Sequence, residues 1–556
     1  MPCSKFNHRF STTQVFRQIP RPPHRLLALI IWTVLCLAAE IWLQGMEEKH
    51  LHLPALLVCY ATALSPVLFL KKCGCKLYLT VLTATVSATL WLYAVLTLHF
   101  RIKVTGDLFF ILLSSSGTEC LEFLRETGIR NLVCSGLPVM LLYGVFITVI
   151  WREQQPLCLR KRSAGAALSA LLFLTALGCS MASSAFHRST VWIQTAWEFA
   201  IFRHNQRALI AMERSPELPA GLRRSPELPG NLCIVIVIGE SATRRHHGIF
   251  GYSRNTTPQL AQACAGNELL LFHNVISASS VTGSALRYLL TPCTLHDKWH
   301  AGYTLFDCYN AAGFRTALFS NQYRWGEYDS PTTLLAAHAG KRVYIREQGD
   351  PWSTDEAVLP FFRSWIQAHG QPFAPRMAVI HLMGSHARYS LRYPESWAPF
   401  TGQFSDPAIR RYPTAKLRRR INRYDNSIAY TDHVIGMIIN ELRCYSGPVC
   451  LLYLPDHGAA PYLTGGKDHT PDSTERECYE IPMLLWVNPS YRTLFPEVIE
   501  AAEKHSGTPL QTDALLTGLL ALGGITTPEL PAESNFFSPA FRPAPHRHIR
   551  EGLEEY

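Results

Sequence analysis

The chain has 556 residues, of which 48% are hydrophobic and only 17% are charged, with a formal net charge of +10. This length is enough for about three domains, and the apolar surplus lies in the first third, which excludes an ordinary soluble protein. Many basic residues lie in short segments that flank apolar stretches, so we predict no nucleic-acid partner.

Five apolar segments near the N-terminus are long enough to cross a bilayer, which takes about 20 helical residues. Core helices of soluble proteins normally carry a polar stripe, and most of these segments lack one. We therefore predict a membrane domain over residues 1–205 with five transmembrane helices. The spans are approximately Leu26–Leu43, Leu53–Leu70, Leu77–Phe100, Leu132–Trp151 and Ala164–Met181.

Basic residues predict the orientation of these spans, because loops rich in Lys and Arg stay in the cytoplasm. They occur in the first 25 residues, in "KKCGCK" at 71–76, and at Arg152, Arg160, Lys161 and Arg162. All three segments fall on one side, so the N-terminus is predicted to be cytoplasmic. An odd number of spans then places the rest of the chain outside, which is the periplasm in a Gram-negative bacterium.

The segment 101–131 lies outside in this topology, between the third and fourth spans. Its apolar spacing is helical, and Ser115 and Glu119 stand four apart on one face. The segment could lie along the membrane surface and contact a lipid headgroup. The alternative is a packing helix beneath the soluble domain.

A Pro-rich linker is predicted over residues 206–230, where "RSPELP" occurs at 214–219 and again at 224–229. Proline keeps such a segment extended and out of a sheet. At the other end, residues 526–556 are rich in Pro and His and are predicted to form a surface tail.

Between these segments, residues 231–525 alternate β-like runs with helical stretches, which indicates an α/β domain with a mostly parallel sheet. The β-like runs are 232–239, 314–320, 377–382, 449–455 and 481–487. The helical stretches are 355–368, 420–443 and 509–522.

Polar residues end or follow the apolar runs of this domain. "CIVIVIGES" closes on Glu240, "CLLYLPDHG" closes on Asp456 and His457, and Thr282 lies in the polar loop "ASSVTGSA". Ligands of α/β sheets bind at the carboxyl ends of the strands. Two carboxylates, one imidazole and one hydroxyl can complete a tetrahedral zinc site, in which the hydroxyl is the reactive group. The pattern predicts a metal-activated threonine that takes up a phosphoryl group.

Further histidines accompany these residues. "HLMGSH" contains His381 and His386, and "GGKDHT" contains His469, twelve residues beyond His457. Sites rich in oxygen and nitrogen ligands suit zinc and, less tightly, manganese.

With "VIGES", "GYSRNTTPQL", "HLMGSH", "YDNSIAYTD" and "PDHG" in this order, the chain resembles the phosphoethanolamine transferases of Gram-negative inner membranes, in the alkaline phosphatase/sulfatase superfamily. The resemblance implies a bundle of five transmembrane helices followed by a sulfatase-like domain. It assigns the nucleophile to Thr282 and one tightly bound zinc to Glu240, Thr282, Asp456 and His457. A second zinc or the substrate falls on His386 and His469, with His381 beside them.

The implied reaction takes phosphoethanolamine from phosphatidylethanolamine and delivers it to a periplasmic glycan. The lipopolysaccharide core, lipid A and periplasmic glucan remain open as acceptors, and the sequence carries no signal for an oligomeric state. The catalytic domain would be periplasmic, on a multi-pass inner-membrane protein with membrane lipids around it.

The chain departs from parts of the family pattern. Members that modify lipid A carry Cys-Gly-Thr-x-Thr at the nucleophile, whereas this chain reads "ASSVTGSALRYL". "AGFRTALFSNQ" is more similar to members that act on core sugars or glucans. Ala459 replaces the Glu of a common Asp-His-Gly-Glu motif, which removes a carboxylate beside the predicted ligands.

Alternative functions belong to the same superfamily or to another class. A sulfatase would need a Cys or Ser in a Cys/Ser-x-Pro-x-Arg context, which Thr282 lacks. A phosphoglycerol transferase or a phosphodiesterase would differ in its substrate. An inactive membrane-anchored binding protein would be expected to have lost at least one ligand.

Cysteines are predicted to be bridged only on the periplasmic side, where oxidation is possible. Cys444 with Cys450 and Cys293 with Cys308 are the candidate pairs, although sequence does not determine connectivity.

Overall fold

A computed structural model describes most of the chain and divides it into two compact units. The first unit comprises residues 1–97 and 130–197, and the second comprises 98–129 and 198–556. The described residues are 24–46, 53–68, 70, 72–97, 104, 109, 129–152, 171, 190–297, 302–322, 331–347, 353–368, 374–402, 406–463 and 473–556.

The first unit is helical in the part that the structure describes. One of its helices, over Cys73–Val95, is long and apolar enough to cross a membrane, and Leu27–Leu43 and Gly136–Arg152 are shorter apolar stretches. The fifth predicted span lies outside the described residues except for Leu171, so five spans remain a prediction. The helices are α1 His24–Met46, α2 Leu53–Leu64, α3 Lys72–Val95, α4 Ile129–Arg152 and α5 Val191–Arg214, whose last part belongs to the second unit.

The second unit is built on a seven-stranded sheet in the order β3-β9-β8-β2-β7-β5-β6. Five neighbouring strands run parallel, and β9 pairs antiparallel with both β8 and β3. The predicted mostly parallel sheet is therefore confirmed, and all five predicted runs form strands. The strands are β2 Cys233–Gly239, β3 Leu269–Phe272, β5 Arg315–Ser320, β6 Lys341–Tyr344, β7 Arg376–His381, β8 Val449–Pro455 and β9 Met483–Val487.

Helices and short two-residue strands surround this sheet. The helices are α6 Pro258–Ala265, α7 Thr282–Leu290, α8 Leu305–Ala311, α9 Pro331–Leu335, α10 Leu359–Gln367, α11 Pro407–Arg410, α12 Ala415–Arg443, α13 Pro489–Leu494, α14 Pro496–Lys504 and α15 Leu516–Leu522. The short strands are β1 Arg223–Arg224, β4 Val275–Ile276, β10 Leu510–Gln511, β11 Ile525–Thr526, β12 His548–Ile549 and β13 Glu554–Glu555.

The sequence of the central strand β2 is continuously apolar because all of its residues are buried. Alternate side chains of a strand point to opposite faces, and here each face is covered. Ile234, Ile236 and Ile238 belong to the core on one face, whereas Cys233, Val235 and Val237 belong to the core on the other. Burial on both faces fixes the position of the strand end, where Glu240 follows.

The structures of the predicted linker and of the predicted surface tail both differ from the prediction. The predicted linker is helical up to Arg214, and its β1 pairs antiparallel with β11, so proline does not keep all of it out of a sheet. The predicted surface tail is anchored, because Phe536 and Phe537 are buried in the main core and the Tyr556 hydroxyl donates to Glu480. Isolated aromatic residues in a polar segment provide this anchoring.

The two predicted disulfides are wrong in this structure, where all four cysteines are free. Cys450 lies on β8 and is buried in the core, whereas Cys444 is exposed at the end of α12. Cys293 and Cys308 are both buried as small apolar side chains in the same core.

Candidate active site

The candidate site lies where β2 and β8 end side by side. Gly239 and Pro455 are paired in the parallel register, and the Asp456 amide donates to the Gly239 carbonyl oxygen at 3.1 Å. The next residue of each strand therefore brings a carboxylate, from Glu240 and from Asp456, to the same point. Both residues are buried.

His457 joins the two carboxylates. Its Nε2 lies 3.4 Å from Glu240 Oε1 and 3.5 Å from Asp456 Oδ2. One ligand atom from each of these three residues lies within 4.8 Å of the others. Among the residues that the structure describes, this is the one cluster of His, Cys, Asp and Glu with the spacing of a metal site.

Thr282 is the first residue of α7, and its hydroxyl faces this cluster. Its Oγ1 donates to Glu240 Oε2 at 3.1 Å and lies 3.5 Å from His457 Nε2. The side chain is partly buried, so a substrate could reach it. Peptide N–H groups at the beginning of a helix attract negative charge, which suits a phosphoryl group bound at this hydroxyl.

The charges of the site call for a cation. Burial, followed by the neighbouring Asp456 carboxylate, raises the pKa of Glu240 well above its usual range, and the hydrogen bonds from Ser241 and Thr282 oppose this rise. Two buried carboxylates repel each other unless a positive charge lies between them. Carboxylate oxygens with an imidazole nitrogen are the ligands that zinc accepts in proteins, so the donor set fits zinc.

The backbone fixes the orientation of the His457 ring. Its Nδ1 donates to the Gly458 carbonyl oxygen at 2.7 Å, and a carbonyl oxygen only accepts. In the neutral ring this leaves the lone pair on Nε2, directed at the carboxylates. Metal-binding histidines are commonly held by such a bond from their other nitrogen.

Of the additional predicted histidines, His381 lies at the end of β7 and is buried. Its Nε2 makes no hydrogen bond to any residue that the structure describes. Burial lowers its pKa to about 4, and Asp456 opposes this effect. His386 follows in the loop, where its amide donates to the Met383 carbonyl oxygen at 3.1 Å. His469, Ser115 and Glu119 lie outside the described residues.

Sequence reasoning missed two polar residues beside the cluster. The Ser241 hydroxyl donates to Glu240 Oε1 at 2.7 Å, and the Gln322 side-chain amide lies 3.4 Å from Glu240 Oε2 and 3.1 Å from the Leu382 carbonyl oxygen. Gln322 was detectable in principle, because it lies two residues beyond the end of β5, another parallel strand of the same sheet. Ser241 gave a weaker signal, since serine is common after strands.

Comparisons with known proteins show what this chain is similar to. The sulfatase family model matches residues 233–525, more than half of the chain. The phosphoethanolamine transferase EptC of Escherichia coli is 23% identical over 448 residues, which is 75% of this chain and 76% of that protein.

Two solved structures show the same fold. The membrane-embedded lipooligosaccharide phosphoethanolamine transferase A of Neisseria meningitidis aligns over 93% of this chain and 98% of its own, with a TM-score of 0.61 and 19% identity. The zinc complex of the periplasmic domain of E. coli EptC aligns over 60% of this chain and 93% of its own, with a TM-score of 0.55 and 24% identity. The chain belongs to the sulfatase family and carries that fold as its C-terminal domain.

Proposed function

We propose that this protein transfers phosphoethanolamine from phosphatidylethanolamine to a glycan of the bacterial envelope, with Thr282 as the nucleophile. The observation that carries the proposal is the Thr282 hydroxyl, which lies 3.1 Å from Glu240 and 3.5 Å from His457 beside a buried carboxylate pair. The names of the matched EptC proteins support the transferred group. The acceptor is the lipopolysaccharide core, lipid A or a periplasmic glucan.

One zinc ion would be held by the carboxylates of Glu240 and Asp456, by His457 Nε2 and by the Thr282 hydroxyl. The zinc complex of the related EptC domain supports the choice of metal. When bound, zinc would lower the pKa of the Thr282 hydroxyl and thereby make it a stronger nucleophile. A second ion or the phosphoryl group would fall to His386 and His469, with His381 beside them.

The chain's own residues then carry out two in-line steps. In the first, Thr282 Oγ1 forms a bond to phosphorus while the bond from phosphorus to the diacylglycerol oxygen breaks, and the proton lost by the Thr282 hydroxyl passes to the departing oxygen. In the second, an oxygen of the acceptor attacks the same phosphorus, the Thr282 oxygen leaves, and the proton of the acceptor hydroxyl returns to it. The histidines around the cluster would stabilise charge on the phosphoryl oxygens.

The apolar N-terminal helices would place this chemistry at the outer surface of the inner membrane. The alignment with an integral membrane protein over 93% of the chain supports an anchored catalytic domain. A domain tethered at the bilayer encounters its lipid donor at a high local concentration. The predicted periplasmic location gives it access to envelope glycans.

The nucleophile can be tested by trapping the covalent intermediate. We expect wild-type protein incubated with phosphatidylethanolamine to carry phosphoethanolamine on Thr282, as measured by mass spectrometry of its peptides. Thr282→Ala should abolish both the adduct and the release of diacylglycerol, whereas Thr282→Ser should retain both. Strong chelation should stop turnover in the wild type.

Ser280 and Ser284 provide the matched controls, since each offers a hydroxyl two residues from Thr282. Their alanine variants should still form the adduct. An adduct on either serine, or near-normal transfer by Thr282→Ala, would assign the nucleophile elsewhere. A preference for phosphatidylglycerol as donor would instead identify a phosphoglycerol transferase.

A further inference from the structure

Ser241 lies in a backbone conformation that few residues adopt. Its φ of +53° is in the left-handed region, where a Cβ atom crowds the carbonyl oxygen. Its amide donates to Asp456 Oδ1 at 3.2 Å, and its hydroxyl donates to Glu240 Oε1 at 2.7 Å. One strained residue therefore contacts both carboxylates of the site, and a glycine here would lack the hydroxyl.

Tyr424, on the long helix α12, is hydrogen-bonded to the backbone of this strained turn. Its hydroxyl donates to the Ser241 carbonyl oxygen at 2.8 Å and accepts from the Thr243 amide at 2.9 Å. The side chain is fully buried, and its ring packs edge-on against His246 and Tyr389, with centroids 5.1 Å and 4.9 Å apart. The hydroxyl therefore has a fixed position.

The next residue of α12 anchors the continuation of the same loop. Asp425 accepts from His246 Nδ1 at 2.6 Å, from Arg254 Nη1 at 2.7 Å and from the Tyr252 hydroxyl at 2.9 Å. The carboxylate is completely buried, so these contacts are shielded from solvent. Two consecutive residues of one helix thus immobilise the loop that follows β2.

We propose that Tyr424 is a positioning residue for the metal site, acting through Ser241. By holding the Ser241 carbonyl oxygen and the Thr243 amide, it keeps Ser241 where its amide and hydroxyl direct both carboxylates toward one point. This inference rests on the proposed zinc-dependent function. Groups that orient metal ligands typically change metal affinity by about 10- to 100-fold when they are removed.

The test compares Tyr424→Phe with Tyr430→Phe in the full-length protein. Tyr430 is a matched control, because it is buried on the same helix and its hydroxyl also makes two hydrogen bonds, to Thr354 and Glu356, away from Ser241. Zinc affinity is measured by competition with a chelator, and ligand geometry by the visible spectrum of the cobalt-substituted protein.

We expect Tyr424→Phe to lower zinc affinity by about 10-fold or more and to alter the cobalt spectrum. Tyr430→Phe should leave both unchanged even if it lowers the unfolding temperature equally. Activity of Tyr424→Phe should fall at limiting zinc and recover at saturating zinc, which a general loss of folding would not produce. Equal effects of the two variants, or wild-type zinc affinity in Tyr424→Phe, would overturn the proposal.

If Tyr424→Phe does not fold, Ser241→Gly provides a second test of the positioning role. Glycine relieves the backbone strain but removes the hydroxyl, so we expect an unfolding temperature at least as high as that of the wild type together with weaker zinc binding. Wild-type zinc affinity in Ser241→Gly would refute the role of the turn. If wild-type protein binds no zinc at all, the proposed function itself fails, whereas tight wild-type binding with unaffected variants refutes only the positioning role.

Discussion

At the scale of single residues, the backbone of Glu240 is packed against Gly384. A Cβ atom on Gly384 would lie 2.7 Å from the Glu240 amide nitrogen and 2.9 Å from its carbonyl oxygen, both of which are backbone atoms. Gly384 also has a φ of +47°, and Asp355 accepts from its amide at 2.8 Å. The loop after β7 is therefore fixed against the candidate ligand at its main chain.

We predict that Gly384→Ala displaces Glu240 and weakens metal binding. The left-handed conformation alone costs about 1–2 kcal/mol for a residue with a Cβ atom, and overpacking adds about 1–3 kcal/mol. Thermal unfolding measures the loss of stability, and the zinc content of the purified protein measures the loss of metal binding. Gly402→Ala is the control, because Gly402 has a φ of +59° and no heavy atom within 4 Å of its added Cβ. Equal unfolding temperatures and zinc contents in the two variants would contradict the steric argument.

The sequence predicts Glu240, Asp456 and His457 because strand ends are readable from apolar runs, whereas Thr282 follows from its polar loop and from the family resemblance. Glu240 and Asp456 each follow a buried strand, and these strands are neighbours in the sheet. Ser241 and Tyr424 escape such reasoning, because their importance lies in a positive φ and in a contact across 183 positions of sequence. No short sequence motif indicates either property.

At the scale of elements, buried strands and the long helix are the most predictable parts. The strand runs are recovered within about two residues, since burial on both faces leaves no polar interruption. Helix α12 begins at Ala415 rather than at 420, because Thr414 caps it by accepting from the Leu417 amide and the first turns are charged and polar. Strands of two residues, such as β1 and β11, are too short for any periodicity to reveal.

Helix α12 also anchors the beginning of α6 through Asp432. Its carboxylate accepts from the amides of Gln259 and Leu260 at 2.9 Å and 3.0 Å, which satisfies amides at the beginning of α6. Burial raises the pKa of Asp432 to about 7, and the two amide bonds oppose this rise. The raised pKa predicts that the junction between the helices responds to pH.

We predict that Asp432 makes the domain less stable as pH rises from about 4 to 7. In this window the native state holds a proton that the unfolded state has released, so its contribution to the free energy of unfolding falls with increasing pH and levels off above about 7. The pKa rises from 3.8 to about 7, so at about 1.4 kcal/mol per pKa unit the total change is on the order of 4 kcal/mol. Unfolding temperatures measured across this range should decline less steeply in Asp432→Asn, and parallel curves would contradict the assignment.

At the scale of the whole molecule, the chain combines an apolar helical unit with an α/β catalytic unit, and the order of the two along the sequence has a topological consequence. Basic residues occur before the first predicted span, between the second and third, and between the fourth and fifth. Moving charged residues across a bilayer is unfavourable, and short basic loops remain in the cytoplasm. The catalytic unit must then lie on the opposite side from the N-terminus if five spans precede it.

We therefore predict the side of the membrane for each loop. Reporter fusions after residues 72 and 156 should give a cytoplasmic signal, and fusions after residues 48, 105 and 200 should give a periplasmic signal. Each position is fused to two reporters, one that is active only in the cytoplasm and one that is active only in the periplasm. The two signals at one position should be opposite, so each position carries its own control. Replacing the basic residues at 152, 160, 161 and 162 with neutral ones should weaken the cytoplasmic signal at residue 156, since those charges hold that loop inside. A cytoplasmic signal at residue 200 in the unaltered protein would place Thr282 away from every envelope glycan and would exclude the proposed acceptors.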